Sequence, residues 1–214
     1  LVWKADTPAG SPAHRFTLPT TVSGLCLDEK GRRLAISHRD GVSLHYLLMA
    51  DDKGVALTWP GAHIGVSLHP DCSYVVTAML DMQLHAWRLS DKKDMRMAGY
   101  QAKTRAMAWD RRGKWLATSG GDCAVIWPFQ GKDGPMGKQP LMLAERAHLV
   151  TALAFHPKED MLAVGYQDGF VVCTRLPDGM VAVIEEAGDG PVVGLSWSAD
   201  GLLLAYAGGG ARAG

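Results

Sequence analysis

Five stretches of this chain align over fourteen residues: GLCLDEKGRRLAIS from Gly24, GVSLHPDCSYVVTA from Gly65, AMAWDRRGKWLATS from Ala106, ALAFHPKEDMLAVG from Ala152 and GLSWSADGLLLAYA from Gly194. Their starts lie 41, 41, 46 and 42 residues apart. Each is an alternating apolar run, a polar turn and a second apolar run. Alternation at period two marks strands, so each copy opens with an antiparallel hairpin. A hairpin alone leaves its apolar faces in water, whereas stacked copies cover one another. The one long interval contains QGKDGPMGKQ (130–139), which reads as a surface loop that tolerates insertion and change.

The first four copies continue alike. Each reaches an aspartate where a tight turn is expected (Asp40, Asp81, Asp122, Asp168), then a third strand (VSLHYL, MQLHAWRL, CAVIWPF, FVVCTRL). A connection and a fourth strand follow (GVALTW, MRMAG, PLMLAE, MVAVIE). Four strands per copy at a period near 42 residues predict an all-β fold of propeller blades. Helical repeats would need 3.6-residue periodicity, and none is present. The expected units are 24–64, 65–105, 106–151 and 152–193, with half a blade at 1–23 and another at 194–214, all within one domain spanning 1–214.

These residues resemble the WD-repeat (WD40) β-propeller family, in a diverged, bacterial-type form, over nearly the whole chain. Trp87 and Trp127 occupy the third-strand Trp position of that family, with Tyr46 and Thr174 in the other two copies. Asp40, Asp81 and Asp168 stand six residues before it and Asp122 five. The Trp-Asp dipeptide itself is missing, since Arg88 and Pro128 follow the tryptophans. So is the Gly-His dipeptide: His63 and His148 are displaced, and Gly99-Tyr100 and Gly188-Asp189 stand nearer its place. These departures predict that the family's His–Ser/Thr–Asp–Trp hydrogen-bond network is lost. Cohesion then rests on apolar packing and on aspartates capping their own turns. Trp109, Phe155 and Trp197 recur in the first strand and are expected to be buried between adjacent blades, with Trp87 and Trp127 also in the core.

At the ends, Leu1–Trp3 reads as a third strand, with His14–Leu18 as its fourth. The stretch from Gly194 supplies a first and second strand before GGGARAG. The halves could pair, giving five blades. The start at a residue other than Met and the stop inside a repeat point instead to part of a ring of about seven.

The resemblance implies a non-enzymatic scaffold for a protein or peptide partner. The rival reading is a metal-binding or catalytic propeller, for which His63, His69, Cys72 and His85 are the candidate ligands. Their placement across a turn and mid-strand, and the recurrence of His69 as His156 before proline, favour ordinary structural histidines. No Ser/His/Asp grouping and no phosphate loop is present, so neither catalysis nor a cofactor is expected. Lys plus Arg and Asp plus Glu both number 22, which gives no basic stripe for nucleic acid. No apolar run is long enough for a membrane helix. Cys26, Cys72, Cys123 and Cys173 form no metal-type pair and read as small buried hydrophobes in a reducing, cytoplasmic setting.

The function of such a disc lies in its loops. Turns between second and third strands, and connections from fourth to first strands, open on one rim. Beside the recurring aspartates, Arg39, Leu80, Tyr166 and Gln167 are larger than turn geometry requires. They are the candidate partner contacts.

Overall fold

A computed structural model describes residues 1–3, 12–18, 20–49 and 51–209. It contains sixteen strands and, among the described residues, no helix. The strands are β1 (Val22–Leu27), β2 (Arg33–Tyr46), β3 (Val55–Leu68), β4 (Tyr74–Met79), β5 (Leu84–Arg88) and β6 (Asp94–Met97). They continue with β7 (Met107–Trp109), β8 (Trp115–Thr118), β9 (Ala124–Pro128), β10 (Leu141–Leu143), β11 (Val150–Phe155) and β12 (Met161–Tyr166). The last four are β13 (Val171–Arg175), β14 (Val181–Glu185), β15 (Val192–Trp197) and β16 (Leu204–Gly208).

β7–β10 and β11–β14 are four-stranded antiparallel sheets, and β15–β16 form a two-stranded one. β1–β6 make a single six-stranded sheet because two strands are shared. β2 turns back on itself at Asp40 and Gly41, whose φ angles are 67° and 149°. Straight, it would span about 45 Å, yet the Leu47 N–H donates to the Arg32 carbonyl at 2.7 Å. β3 bends at Gly61, φ 126°, pairing with β2 through Val55–Thr58 and with β4 through His63–Leu68. The six strands therefore supply two four-stranded units, of the same kind as the other two.

The first two strands of the copies share a register. Leu27 pairs with Leu34, Leu68 with Val75, Trp109 with Leu116, Phe155 with Leu162 and Trp197 with Leu204. A bulge follows Val22, His63, Val150 and Val192 at the same point. Two bulged residues carry hydroxyls, and both bind the next copy. Thr151 Oγ1 donates to the Val192 carbonyl at 2.7 Å, and Ser23 Oγ donates to the His63 carbonyl.

Every apolar cluster straddles two consecutive copies. Val75 joins Ala35, Val42, Leu57 and Trp87 on the side of the first copy, whereas its neighbour Val76 joins Leu116, Val125 and Trp127 on the side of the third. Ala117, beside Leu116, faces Leu162, Val164 and Tyr166 of the fourth copy. Strand alternation thus gives each unit two buried faces, which is why none can stand alone. Large apolar residues are exposed toward both ends of the array. Leu25 and Leu27 are 64% and 52% exposed at one end, Leu202 and Leu203 80% and 71% at the other. Toward the N-terminus, Val2 and His14 make an antiparallel bridge, and Phe16 stacks on His45 with ring centres 4.0 Å apart. The link between them, 4–11, and 210–214 of the Gly-rich end lie outside the described residues.

Three expectations change. Trp87 and Trp127 are buried, but Trp109, Phe155 and Trp197 are only half-buried, because they close first strands where copies meet at the surface. Second, the 130–139 segment is a brace rather than an idle loop. The Lys132 carbonyl accepts from Tyr74 Oη at 3.3 Å and from Arg88, Asp133 lies 3.7 Å from Arg88, and Gly134 packs against Tyr74 and Met95.

Third, polar networks persist in altered form. Trp127 Nε1–H donates to Tyr100 Oη at 2.6 Å, Tyr100 to Thr118 Oγ1 at 2.7 Å, and Thr118 to the Val125 carbonyl at 3.1 Å. In the preceding copy, His63 Nε2–H donates to the Trp59 carbonyl at 2.9 Å, its Nδ1 lies 2.8 Å from Thr77 Oγ1, and the Thr77 hydroxyl donates to the His85 carbonyl at 3.1 Å.

His85, beside this network, is fully buried, stacked on Trp59 and without a hydrogen bond to either ring nitrogen. Burial lowers its pKa to about 4, overriding Asp94 at 3.8 Å. Burial lowers His63 as well. An unfolded histidine titrates near 6.5, so below that pH the unfolded chain binds more protons than the folded one. Stability is therefore complete above about pH 6.5 and declines as pH falls toward 4. Unfolding free energies from urea titrations should drop between about pH 7.5 and 4.5 by on the order of 2 kcal/mol. His85→Phe should flatten much of that decline; an unchanged slope would count against it.

Candidate partner-binding face

Strand alternation sets what the turns present. In the second and fourth copies, the first of the two residues before the turn aspartate still belongs to the second strand and the second leaves it. Met79 and Tyr166 are accordingly buried, while Arg39, Leu80 and Gln167 are exposed. Tyr166, expected as a partner contact, is 0% exposed. Its ring lies in the cluster between third and fourth copies, its hydroxyl donates to the Ala144 carbonyl, and burial pushes the phenol pKa up.

The aspartates do different work in each turn. Asp168 accepts from its own turn's Phe170 N–H at 3.3 Å and pairs with Arg146 at 2.8 Å. Burial opposes its ionisation, but Arg146, the Phe170 N–H and His148 outweigh that and hold the carboxyl below its usual range. The Arg146 guanidinium also lies over the Phe170 ring, 3.6 Å from its centre. Asp40 reaches across to the Gly61 N–H at 2.9 Å, and Asp81 accepts from Gln83 Nε2 at 3.2 Å. Asp122 contributes its backbone carbonyl to the Arg146 N–H at 2.9 Å.

Beside these turns lies a groove of about 500 Å³. Met82, Gly120, Gly121 and Gln167 come from turns between second and third strands. Ala102, Lys103, Arg105, Leu149 and Pro191 come from the stretches leading into β7, β11 and β15, with Val150 and Thr151 at the start of β11. Gln167 is the one predicted contact that lines it; Leu80 shares its turn with Met82, and Arg39 lies on the corresponding turn of the first copy. Lys103 and Arg105, two residues apart on the stretch into β7, carry no strand or motif signal, and assembly of successive copies places them beside Leu149 and Gln167.

The histidines considered as ligands are occupied structurally. His69 Nδ1 lies 2.6 Å from Asp71 Oδ1 and 3.3 Å from the Asp71 backbone nitrogen, and its Nε2–H donates to the Gly113 carbonyl of the next copy at 2.8 Å. His156 is placed similarly, accepting from Glu159 N–H at 2.8 Å and donating to the Gly201 carbonyl at 3.0 Å. Each ring also meets the next copy's tryptophan edge-on, Trp109 at 4.8 Å and Trp197 at 4.7 Å. Cys72 occupies a turn with φ 60°. Among the described residues, no three His, Cys, Asp or Glu side chains converge as metal ligands.

Residues 153–212 match the family model of the Anaphase-promoting complex subunit 4 WD40 domain. No curated protein matches the chain. That match, the four-stranded antiparallel sheets and the all-β composition together fit a WD40 β-propeller.

Proposed function

We propose that this chain is a non-enzymatic scaffold that holds a protein or peptide partner on the rim bearing the turns between second and third strands. The observation that carries this reading is the groove, bordered by turns that differ in side chain from copy to copy on a common register. Arg39, Leu80 and Gln167 extend that rim, and Leu80 is 48% exposed with no need of its own strand to explain it. A balanced formal charge supports a protein partner over nucleic acid. Four unpaired cysteines support a reducing, cytoplasmic setting.

The test is a triple variant, Arg39→Ser, Leu80→Ser and Gln167→Ser. All three side chains are exposed, so the melting curve should be unchanged, while the affinity for the main captured partner should fall at least about tenfold. A folded triple variant with unaltered affinity would remove this rim from consideration. Tyr166→Ser, by contrast, should unfold the interface between third and fourth copies and is unsuitable as a binding probe.

A further inference from the structure

We propose that the groove between the second, third and fourth copies takes an acidic peptide segment carrying an apolar side chain. This rests on the scaffold reading above and names the chemistry of the partner. Lys103 and Arg105 are the charged residues lining the groove, both are exposed, and neither makes an ion pair among the described residues. No carboxylate lines it. Of the nearby turn aspartates, Asp168 is paired with Arg146, while Asp81, hydrogen-bonded to Gln83, and Asp122 are not among the lining residues. Two uncompensated cations in one concave site attract an anionic segment and disfavour a cationic one.

The remaining lining is apolar: Met82, Leu149 and Pro191 face the same space, with Met82 43% and Leu149 40% exposed. That is more apolar surface than a phosphate backbone would use, and two cations are few for nucleic acid. An aliphatic side chain flanked by glutamates or aspartates matches both halves of the lining. Gly121 leaves the floor open, since a Cβ built there meets no atom within 4 Å.

The experiment measures fluorescence anisotropy of the full chain with a short fluorescein-labelled polyglutamate peptide bearing a central leucine. Its lysine counterpart, a version with alanine for leucine, and single-stranded oligothymidylate are the comparators. The leucine-bearing acidic peptide should bind at least about tenfold tighter than the lysine peptide and more tightly than the alanine version, weakening as salt rises. Lys103→Glu with Arg105→Glu should abolish the preference for acid. Gly121→Phe should block the groove sterically without disturbing the fold, and circular dichroism checks that both variants are folded.

Equal binding of acidic and lysine peptides, tighter binding of oligothymidylate, or folded variants that bind the acidic peptide normally would each overturn the proposal. The two readings fail separately. If the Arg39, Leu80, Gln167 variant loses its partner while the charge-reversed variant keeps it, the scaffold stands and the acidic peptide falls. If peptide binding follows the groove but partner capture ignores the triple change, the groove stands and the wider rim falls.

Discussion

Replacing Trp87 with alanine should destabilise the chain by ~3–5 kcal/mol, the usual range for emptying a large aromatic site in a core. Trp87 is 2% exposed and packs in the cluster formed by Ala35, Val42, Leu57, Leu68 and Val75 between first and second copies. Its ring meets His85 edge-on at 4.5 Å and His63 at 5.8 Å, so truncation also loosens the polar network beside it. In an array stabilised by neighbour contacts, losing one interface uncouples what lies on either side. Urea unfolding should therefore show a lower midpoint and an early phase from the first copy. Trp109→Ala is the internal comparison: that ring is half-buried and its Nε1–H has no partner, so it should cost roughly half as much. Equal losses at the two positions would mean that burial between copies does not set the stability.

Much of this arrangement is legible in the sequence, for a physical reason. Period-two alternation and turn residues are local signals, so the apolar runs and third-strand tryptophans give the strands and their order. The 42-residue spacing then implies stacking, because one meander has nothing to cover its faces. What depends on side-chain direction at a strand end is harder to read. Tyr166 precedes its turn by the same count as His38 and Met79, and composition there suggests exposure. The strand continues one residue further, which turns Tyr166 inward and Gln167 outward. Contacts between copies are less legible still. The repeated His-Pro pair identifies His69 and His156 as equivalent, but not that each reaches a glycine 44 or 45 residues away. The brace from Lys132 and Asp133 to Arg88 escapes sequence reading similarly, since polar, Gly-rich composition is shared by free loops and by loops folded onto a neighbour.

The histidine contacts predict unequal costs at three equivalent glycines. Gly31, Gly113 and Gly201 each close the first turn of a copy, donating their N–H to Asp28, Asp110 and Ser198 carbonyls at 2.9 Å, with φ of 61°, 66° and 79°. All three share the left-handed backbone, so an added Cβ strains each by about 1–2 kcal/mol. Their surroundings differ. A Cβ at Gly31 meets nothing within 4 Å, whereas at Gly113 it falls 2.1 Å from the His69 ring and at Gly201 2.4 Å from the His156 ring. Those rings are held at both nitrogens and wedged against Trp109 and Trp197, so they cannot swing aside without losing the link between copies. Gly31→Ala should thus cost only the backbone strain, while Gly113→Ala should cost about 2 kcal/mol more, combining a lost hydrogen bond and disrupted packing. Gly201→Ala should follow Gly113→Ala. The decisive measurement is a double-mutant cycle with His69→Ala. Removing the ring also removes the clash, so Gly113→Ala in that background should fall back to the cost at Gly31. Additive losses in the cycle, or equal losses at Gly31 and Gly113 in the parent chain, would show that the histidine does not lock one copy to the next.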